Sequence, residues 1–362
     1  MIPTATPPAP IPTAPAATSG DWLLQTWRLT RWDLFAARRR VMSKVLAGIL
    51  FGLFVLIVGF VVLGYVITQN APIQGENCAP APAATSQTSG GGSSSGDQIQ
   101  CQSLTAQQQQ QIRDQETSSV RATITFPGSV QLAGGYTTFM GVILLAILAG
   151  AVVGGEFGFG TLRLALSRGM GRAQVLTAQV AALAILSLGI SLVMVLLGIL
   201  IGVTIGPLLG ATLPALSGSG ALALVTYWLS VSFHLFAFAA IAFFLATLTR
   251  STAAGIAGPL GYYVFELIAV GILTALGFAI RGDLGNFLSH VPDWLLGQNL
   301  DMVATKAFAP LQAAAASGIS SNNGGVTGPT FGLGHALLVS LGYCVLLVGS
   351  TFFIMRRRDI TD

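Results

Sequence analysis

The chain has 362 residues, of which 53% are hydrophobic and only 8% are charged. Because a soluble domain typically carries about 25% charged residues, this composition excludes a soluble enzyme with a solvated surface, and it also excludes a disordered chain. The net charge is only +4. Apolar runs long enough to cross a bilayer take up most of the sequence, which predicts one polytopic, all-α membrane domain.

Two regions precede the first apolar run. Residues 1–20 are rich in Pro, Ala and Thr, which predicts a disordered cytoplasmic tail, and they lack the basic start and apolar core of a secretory signal. Residues 21–41 have a helical pattern with most apolar side chains on one arc, although Trp32 blurs it. We expect an amphipathic helix in the cytoplasmic membrane interface, with Trp at headgroup depth. The alternative is a frayed lead-in to the first span.

Residues 42–362 are predicted to form a six-span domain, because six apolar segments each exceed the ~20 residues that a helix needs to cross the hydrocarbon. The predicted spans are 42–68, 133–155, 173–206, 220–248, 254–280 and 331–355. The third is too long for a straight crossing, so we expect it to tilt or to continue beyond the bilayer.

The basic residues predict the orientation of these spans. Thirteen fall on the side of the termini: Arg28, Arg31, Arg38, Arg39, Arg40, Lys44, Arg163, Arg168, Arg172, Arg250, Arg356, Arg357 and Arg358. The other side has four: Arg113, Arg121, Arg281 and Lys306. The positive-inside rule therefore places both termini in the cytoplasm.

This orientation makes residues 69–132 a large extracellular loop, with a linker-like first half and a polar, Gln-rich second half that predicts an external helix. Cys78 and Cys101 lie in this loop on the oxidising side, where we expect a disulfide between them. The alternative is two free thiols in an unstructured tract. We expect Cys344, in the last span, to be a small core residue. In the external segment 281–330, we expect a short interfacial helix near Trp294.

No nucleotide, metal or catalytic site is evident. The only lysines, Lys44 and Lys306, follow Ser and Thr rather than Gly, so the chain has no Walker A motif. The three histidines are scattered without ligand spacing, and no catalytic grouping is supported by spacing alone, although triads assemble in space. We therefore expect a chain that is not an enzyme, with no cofactor, no metal and no nucleic-acid partner.

The loop after the second span is the most informative segment. It begins with Gly-Gly-Glu156-Phe157 and continues through Gly160-Thr161 to three arginines that precede the third span. This order is typical of a span exit followed by a short helix that Thr161 can cap. An ordinary basic cytoplasmic loop is the alternative that these residues leave open.

This loop resembles that of the six-span permease subunits of type-2 ABC exporters, in the bacitracin and lantibiotic efflux branch. The residues that carry the resemblance are Glu156, Gly160, Thr161, Leu162, Arg163, Leu166, Ser167, Arg168, Gly169 and Arg172. The segment 125–129 and the closing residues 357–360 agree with the family pattern. Gln179 departs from it, because relatives usually carry Lys early in the third span.

The resemblance implies a mechanism in a bacterial cytoplasmic membrane. Two permease chains, identical or different, would pair, and each would dock one separately encoded ATP-binding subunit that holds ATP and Mg²⁺. A coupling helix in the loop 155–172 would contact that subunit, and the turn at Arg250 would be a second contact. The coupling residues implied are Glu156, Phe157, Gly160, Thr161, Arg163, Arg168, Arg172 and Arg250.

Two ionisable residues fall mid-span, Glu266 in the fifth span and His234 in the fourth. A charged carboxylate at mid-membrane costs about 2.5–3.5 kcal/mol on insertion scales, so such a group is expected to face the bundle interior, a wet cavity or a partner. Span counting puts both at similar depth, and we hypothesise that they interact and border a translocation path. The alternatives are a structural, protonated Glu266 and a His234 that hydrogen bonds a nearby hydroxyl.

Three functions are compatible with these features. The first is a permease that exports an amphipathic or hydrophobic compound such as a drug, an antimicrobial peptide or a lipid-like molecule. The second is a non-transporting unit that relays ATP hydrolysis mechanically to an extracellular partner, as the large loop suggests. The third is an ion-coupled transporter with Glu266 as its proton site.

Overall fold

The computed structural model describes residues 19–39, 41–70, 111, 117–118, 120–158, 171–209, 218–280, 282–315 and 331–357. Every regular element in these ranges is helical. The α-helices are α1 (Ser19–Arg39), α2 (Val41–Asn70), α3 (Gly128–Tyr136), α4 (Val142–Gly158), α5 (Arg172–Leu208), α6 (Gly218–Thr249), α7 (Thr252–Ala279), α8 (Asp283–His290), α9 (Leu296–Ala315) and α10 (Leu333–Arg357).

Six of these segments are long and apolar enough to cross a membrane: α2, α3 with α4, α5, α6, α7 and α10. The predicted all-α membrane fold with six spans is therefore confirmed. The second span begins earlier than predicted, at Gly128, because the π-helical turn Thr137–Gly141 joins α3 to α4 without a break. We call the end of the bundle at Val41 and Arg357 the terminal end, and the opposite end the loop end. Which end faces the cytoplasm stays a prediction.

The helix α1 corresponds to the helix predicted for residues 21–41. It packs against the start of α5. Gln174 donates to the side chain of Gln25 across 3.1 Å, and Thr30 is buried beside Ala178. Trp27 and other large apolar side chains of α1 stay exposed. Its placement in the membrane interface remains a prediction.

The helix α6 is the centre of the bundle, since it packs against α4, α5, α7, α9 and α10. Leu235, Phe238 and Phe243 of α6 are almost completely buried in the main apolar core. The helices α4 and α7 also pack closely, because a Cβ at Gly150 would lie 2.7 Å from the Gly255 carbonyl carbon. Small residues therefore set this helix crossing, as is common in membranes.

Between the fifth and sixth spans the chain folds back into the bundle. The helix α8 packs along the loop end of α7, and the 3₁₀ turn Val291–Trp294 leads into α9. The backbone N–H of Gln298 reaches Glu266. At 1.5 Å per residue, that contact lies about 21 Å inward from Ile280. A contact from the Tyr343 hydroxyl to the Trp294 carbonyl puts the same turn about 15 Å inward along α10. The segment α8–α9 is therefore a re-entrant hairpin.

From this depth α9 runs outward beside α6. Asp301 lies opposite His234, and Phe308 lies against Tyr227, with ring centroids 4.8 Å apart. The short helix expected near Trp294 is present as the 3₁₀ turn Val291–Trp294, at the inner tip of the hairpin; its interfacial placement stays a prediction. The segment packs into the bundle because α9 has an apolar face, on which Leu296, Leu300 and Phe308 are buried.

The predicted external features fall largely outside the described residues. Cys78 and Cys101 both do, so their disulfide stays a prediction. Cys344 is a free, buried cysteine of α10, as expected for a small core residue.

Candidate translocation site and coupling surface

Glu266 caps the inner end of the re-entrant helix. Its side chain is buried, with 5% of the residue exposed, and its Oε1 accepts a hydrogen bond of 2.9 Å from the Gln298 backbone N–H. One turn earlier on α7, the Tyr262 hydroxyl accepts from the Leu296 N–H across 3.1 Å. The first N–H groups of a helix have no partner within the helix, so α7 supplies acceptors for two of them.

The close approach of these two helices depends on a glycine. A Cβ built at Gly297 would lie 2.8 Å from Glu266 Oε1 and 2.9 Å from its Cδ. Any larger residue would have to push the carboxylate away from the helix end. The carboxylate also favours the positive end of the helix dipole, which adds to the cap.

His234 lies on α6 and faces the second turn of α9. Its residue is 2% exposed, and its Nδ1 lies 3.5 Å from Asp301 Oδ1. Within the described part of the chain, neither ring nitrogen of His234 has a hydrogen-bond partner. The Asp301 side chain is 61% exposed, so the pair has one buried member and one open member.

Aromatic rings connect this pair to the Glu266 cap. Phe238 stacks on His234 with ring centroids 5.3 Å apart and contacts both Tyr262 and Tyr263. No hydrogen bond joins Glu266 to His234 in the described residues. The structure therefore brings the two predicted residues into one region but separates their side chains by the Phe238 and Tyr262 rings.

Asp301 begins a polar stripe on the open side of α9. The exposed residues Thr305 and Gln312 continue it toward the loop end. There Gln312 donates to the Gln131 side chain of α3 across 3.0 Å. By contrast, α7 exposes large apolar side chains, such as Phe265 and Ile272. The stripe is thus a surface suited to water or a polar ligand, running from mid-depth to the loop end.

The sequence interpretation missed Asp301 because it assigned segment 281–330 wholly to the outside. A signal was present: Leu296, Leu300 and Phe308 recur at helical spacing, with Asp301 and Thr305 on the other face. The described residues contain no group of three His, Cys, Asp or Glu that could hold a metal ion.

The end of α4, which leads into the predicted coupling loop, lies beside the turn at Arg250 at the terminal end. A Cβ at Gly154, just before the predicted coupling loop, would lie 2.5 Å from the Thr252 Cα. The turn between α6 and α7 contains Arg250, which is exposed and adopts a left-handed φ of 55°. The end of α4 and this turn therefore form one continuous surface.

Most of the predicted coupling residues lie outside the described part of the chain. This holds for Gly160, Thr161, Arg163 and Arg168, and for the side chains of Glu156 and Phe157. Arg172, at the start of α5, donates to the Met355 carbonyl of α10 across 3.4 Å. The third and sixth spans are thus joined where the loop rejoins the bundle.

A comparison with protein families matches residues 36–360 to the model described as "ABC-2 family transporter protein". The match takes in all six spans and the re-entrant hairpin. The chain belongs to the ABC-2 transporter family. It is accordingly a multi-pass membrane subunit of an ABC transporter, a class of permease that works with an ATP-binding partner. Neither the curated proteins nor the solved structures contain a match to this ABC-2 permease.

Proposed function

We propose that this ABC-2 permease is the membrane subunit of an ATP-driven exporter in a bacterial cytoplasmic membrane. Its cargo is an amphipathic or hydrophobic compound, such as a drug, an antimicrobial peptide of the bacitracin or lantibiotic kind, or a lipid-like molecule. The observation that carries the proposal is the family match over residues 36–360. The polar stripe from Asp301 to Gln312 supports the proposal. Polar side chains at this depth are costly against lipid tails, so the stripe is expected to meet water, cargo or a partner.

The ATP-binding partner docks on the terminal end. The end of α4 and the turn at Arg250 offer it one surface, and the loop 155–172 would supply the coupling helix that the family resemblance implies. Two such subunits, each holding ATP and Mg²⁺, would close beneath two copies of this chain or beneath this chain and a second permease. Their closure shifts the permease pair between two states, and the coupling is reciprocal, so cargo changes the ATPase rate.

The contacts at the terminal end can carry this movement into the spans. The helix α5 continues from Arg172 without interruption to Leu208, which is about 55 Å at 1.5 Å per residue. Its first turns hold α1 through Gln174 and Gln25. A displacement of the coupling loop therefore moves α1 and α5 together.

The test is to co-express the chain with any ATP-binding subunit encoded by a neighbouring gene and to reconstitute the complex in liposomes. We expect ATPase activity that bacitracin or nisin stimulates, and ATP-dependent movement of the stimulating compound. Arg250→Glu should lower that ATPase activity several-fold, whereas Arg121→Glu near the loop end, the matched control, should not. Robust ATPase activity without cargo movement would instead favour mechanical signalling to an extracellular partner. Failure to recover any ATP-binding subunit would favour ion-coupled transport.

A further inference from the structure

We infer that Asp301, His234, Tyr263 and Phe139 form a binding site for the positively charged group of an amphipathic cation. This inference rests on the proposed export function and narrows its cargo to compounds with a cationic group, such as an amine or a quaternary onium, on an apolar body. The site lies on the open side of α9, between the second, fourth and fifth spans.

The first observation is the depth of an open carboxylate. His234, the partner of Asp301, lies about 24 Å along α6 from Gly218. Yet 61% of the Asp301 side chain is exposed. A carboxylate at this depth would be costly against lipid tails, so its open side is expected to meet a wet cavity or a positively charged partner.

The second observation is the buried imidazole behind it. His234 is 2% exposed, and both of its nitrogens lack hydrogen-bond partners in the described residues. At 3.5 Å, its Nδ1 approaches Asp301 Oδ1 without closing a good hydrogen bond. A neutral imidazole brings no positive charge, and no Lys or Arg pairs with Asp301 in the described residues. A carboxylate without such a partner attracts a cation and repels an anion.

The third observation is the aromatic wall. The rings of Phe139 and Tyr263 lie 5.9 Å apart, and Tyr263 also contacts Phe238, which stacks on His234. Asp301 is near enough to interact electrostatically with Tyr263. Phe139 is 43% exposed, so part of its ring is accessible. Aromatic faces next to a carboxylate are the surroundings in which onium cations bind.

The experiment uses the full-length permease alone in lipid nanodiscs and measures saturable binding of radiolabelled tetraphenylphosphonium above that of empty nanodiscs. Tetraphenylborate is the probe of matched size and opposite charge. We expect the wild type to bind the cation saturably and the borate not at all. Asp301→Asn should weaken cation binding about 10-fold or more, because it removes the negative charge that attracts the cation. Asp301→Glu should keep binding within a few-fold.

Two further variants guard against misfolding and non-specific effects. Tyr263→Leu removes a ring but no charge, and we expect it to weaken cation binding several-fold. Asp283→Asn removes an exposed carboxylate at the start of α8 and should bind as the wild type does. The inference is overturned if the wild type shows no saturable cation binding, if Asp301→Asn binds unchanged, or if tetraphenylborate binds equally well.

The outcome separates the site from the export function, because this binding needs no ATP-binding subunit. If the permease binds tetraphenylphosphonium through Asp301 but the reconstituted complex moves no cargo, the site stands and the export proposal fails. If the complex exports neutral amphiphiles and the permease binds no cation, the export proposal stands and the cation site is refuted.

Discussion

The cap on α9 predicts that Glu266 matters first as a hydrogen-bond acceptor. Glu266→Ala removes the acceptor for the Gln298 N–H at a buried helix end, whereas Glu266→Gln keeps an oxygen where Oε1 now lies. The amide group of Gln would replace Oε2, which has no hydrogen-bond partner among the described residues. The two variants therefore separate loss of the acceptor from loss of the charge.

The magnitudes follow from the contacts. Removing a charged acceptor and leaving a buried N–H unsatisfied costs about 1.5–3 kcal/mol. Removing only the charge loses its interaction with the helix dipole, which is about 0.3–1 kcal/mol and at most ~2 kcal/mol in a partly buried site. Glu266→Ala should therefore be less stable than Glu266→Gln by about 1–2 kcal/mol.

The assay is thermal unfolding of the purified permease in detergent, followed by intrinsic Trp fluorescence or by size-exclusion after heating. We expect the order of stability wild type, Glu266→Gln, Glu266→Ala, with the larger step between the last two. An Ala variant as stable as the wild type would refute the cap. A Gln variant as unstable as the Ala variant would show that the charge, not the acceptor, is what counts. If Glu266→Gln also leaves cargo-stimulated ATPase and export unchanged, a role for the carboxylate in translocation is refuted.

Three other predictions test the rest of the structure. Gly297→Ala should destabilise the protein by about 1–3 kcal/mol in the same unfolding assay, because the added Cβ would displace the buried, hydrogen-bonded carboxylate of Glu266. Unchanged stability would contradict the close approach of Gly297 to Glu266. Gly150→Ala should lower stability by about 1–3 kcal/mol by forcing α4 from the α7 backbone, whereas Gly52→Ala, with no atom within 4 Å of its added Cβ, should be neutral or mildly stabilising. Cys78 and Cys101 should resist maleimide labelling until the protein is reduced, and labelling before reduction would exclude their disulfide.

The spans could be predicted from sequence because each is a long, continuous apolar segment, and hydropathy needs no partner to be recognised. The re-entrant hairpin could not be predicted in this way. The helix α9 carries Asp301, Thr305 and Lys306 on its polar side, so its composition is that of a surface helix. Only its packing against α6 and α10 shows that its apolar face is buried.

The candidate site was predicted in part. Glu266 and His234 were recognised because an ionisable residue within an apolar run is costly there. Their partners were not, because Gln298 and Asp301 lie on a segment whose depth is set by tertiary packing and not by hydropathy. Span counting put the two residues at similar depth, but it could not tell which helix faces meet. In the structure no hydrogen bond joins them, and Phe238 contacts His234 on one side and Tyr262 on the other. Whether they border a translocation path stays a prediction.

The re-entrant hairpin also has a consequence for how the protein is assembled during synthesis. The helix α9 is too polar on one side to enter lipid alone, and its inner end is satisfied by Tyr262 and Glu266 of α7. Its apolar face is covered by α6 and by α10, which is synthesised after it. The hairpin can therefore begin to dock on α6 and α7, but its packing is complete only after the last span has inserted. A chain arrested before Leu333 would lack α10, so the faces of α6 and α9 that α10 covers would stay exposed, and α9 should be more accessible to protease than in the complete protein.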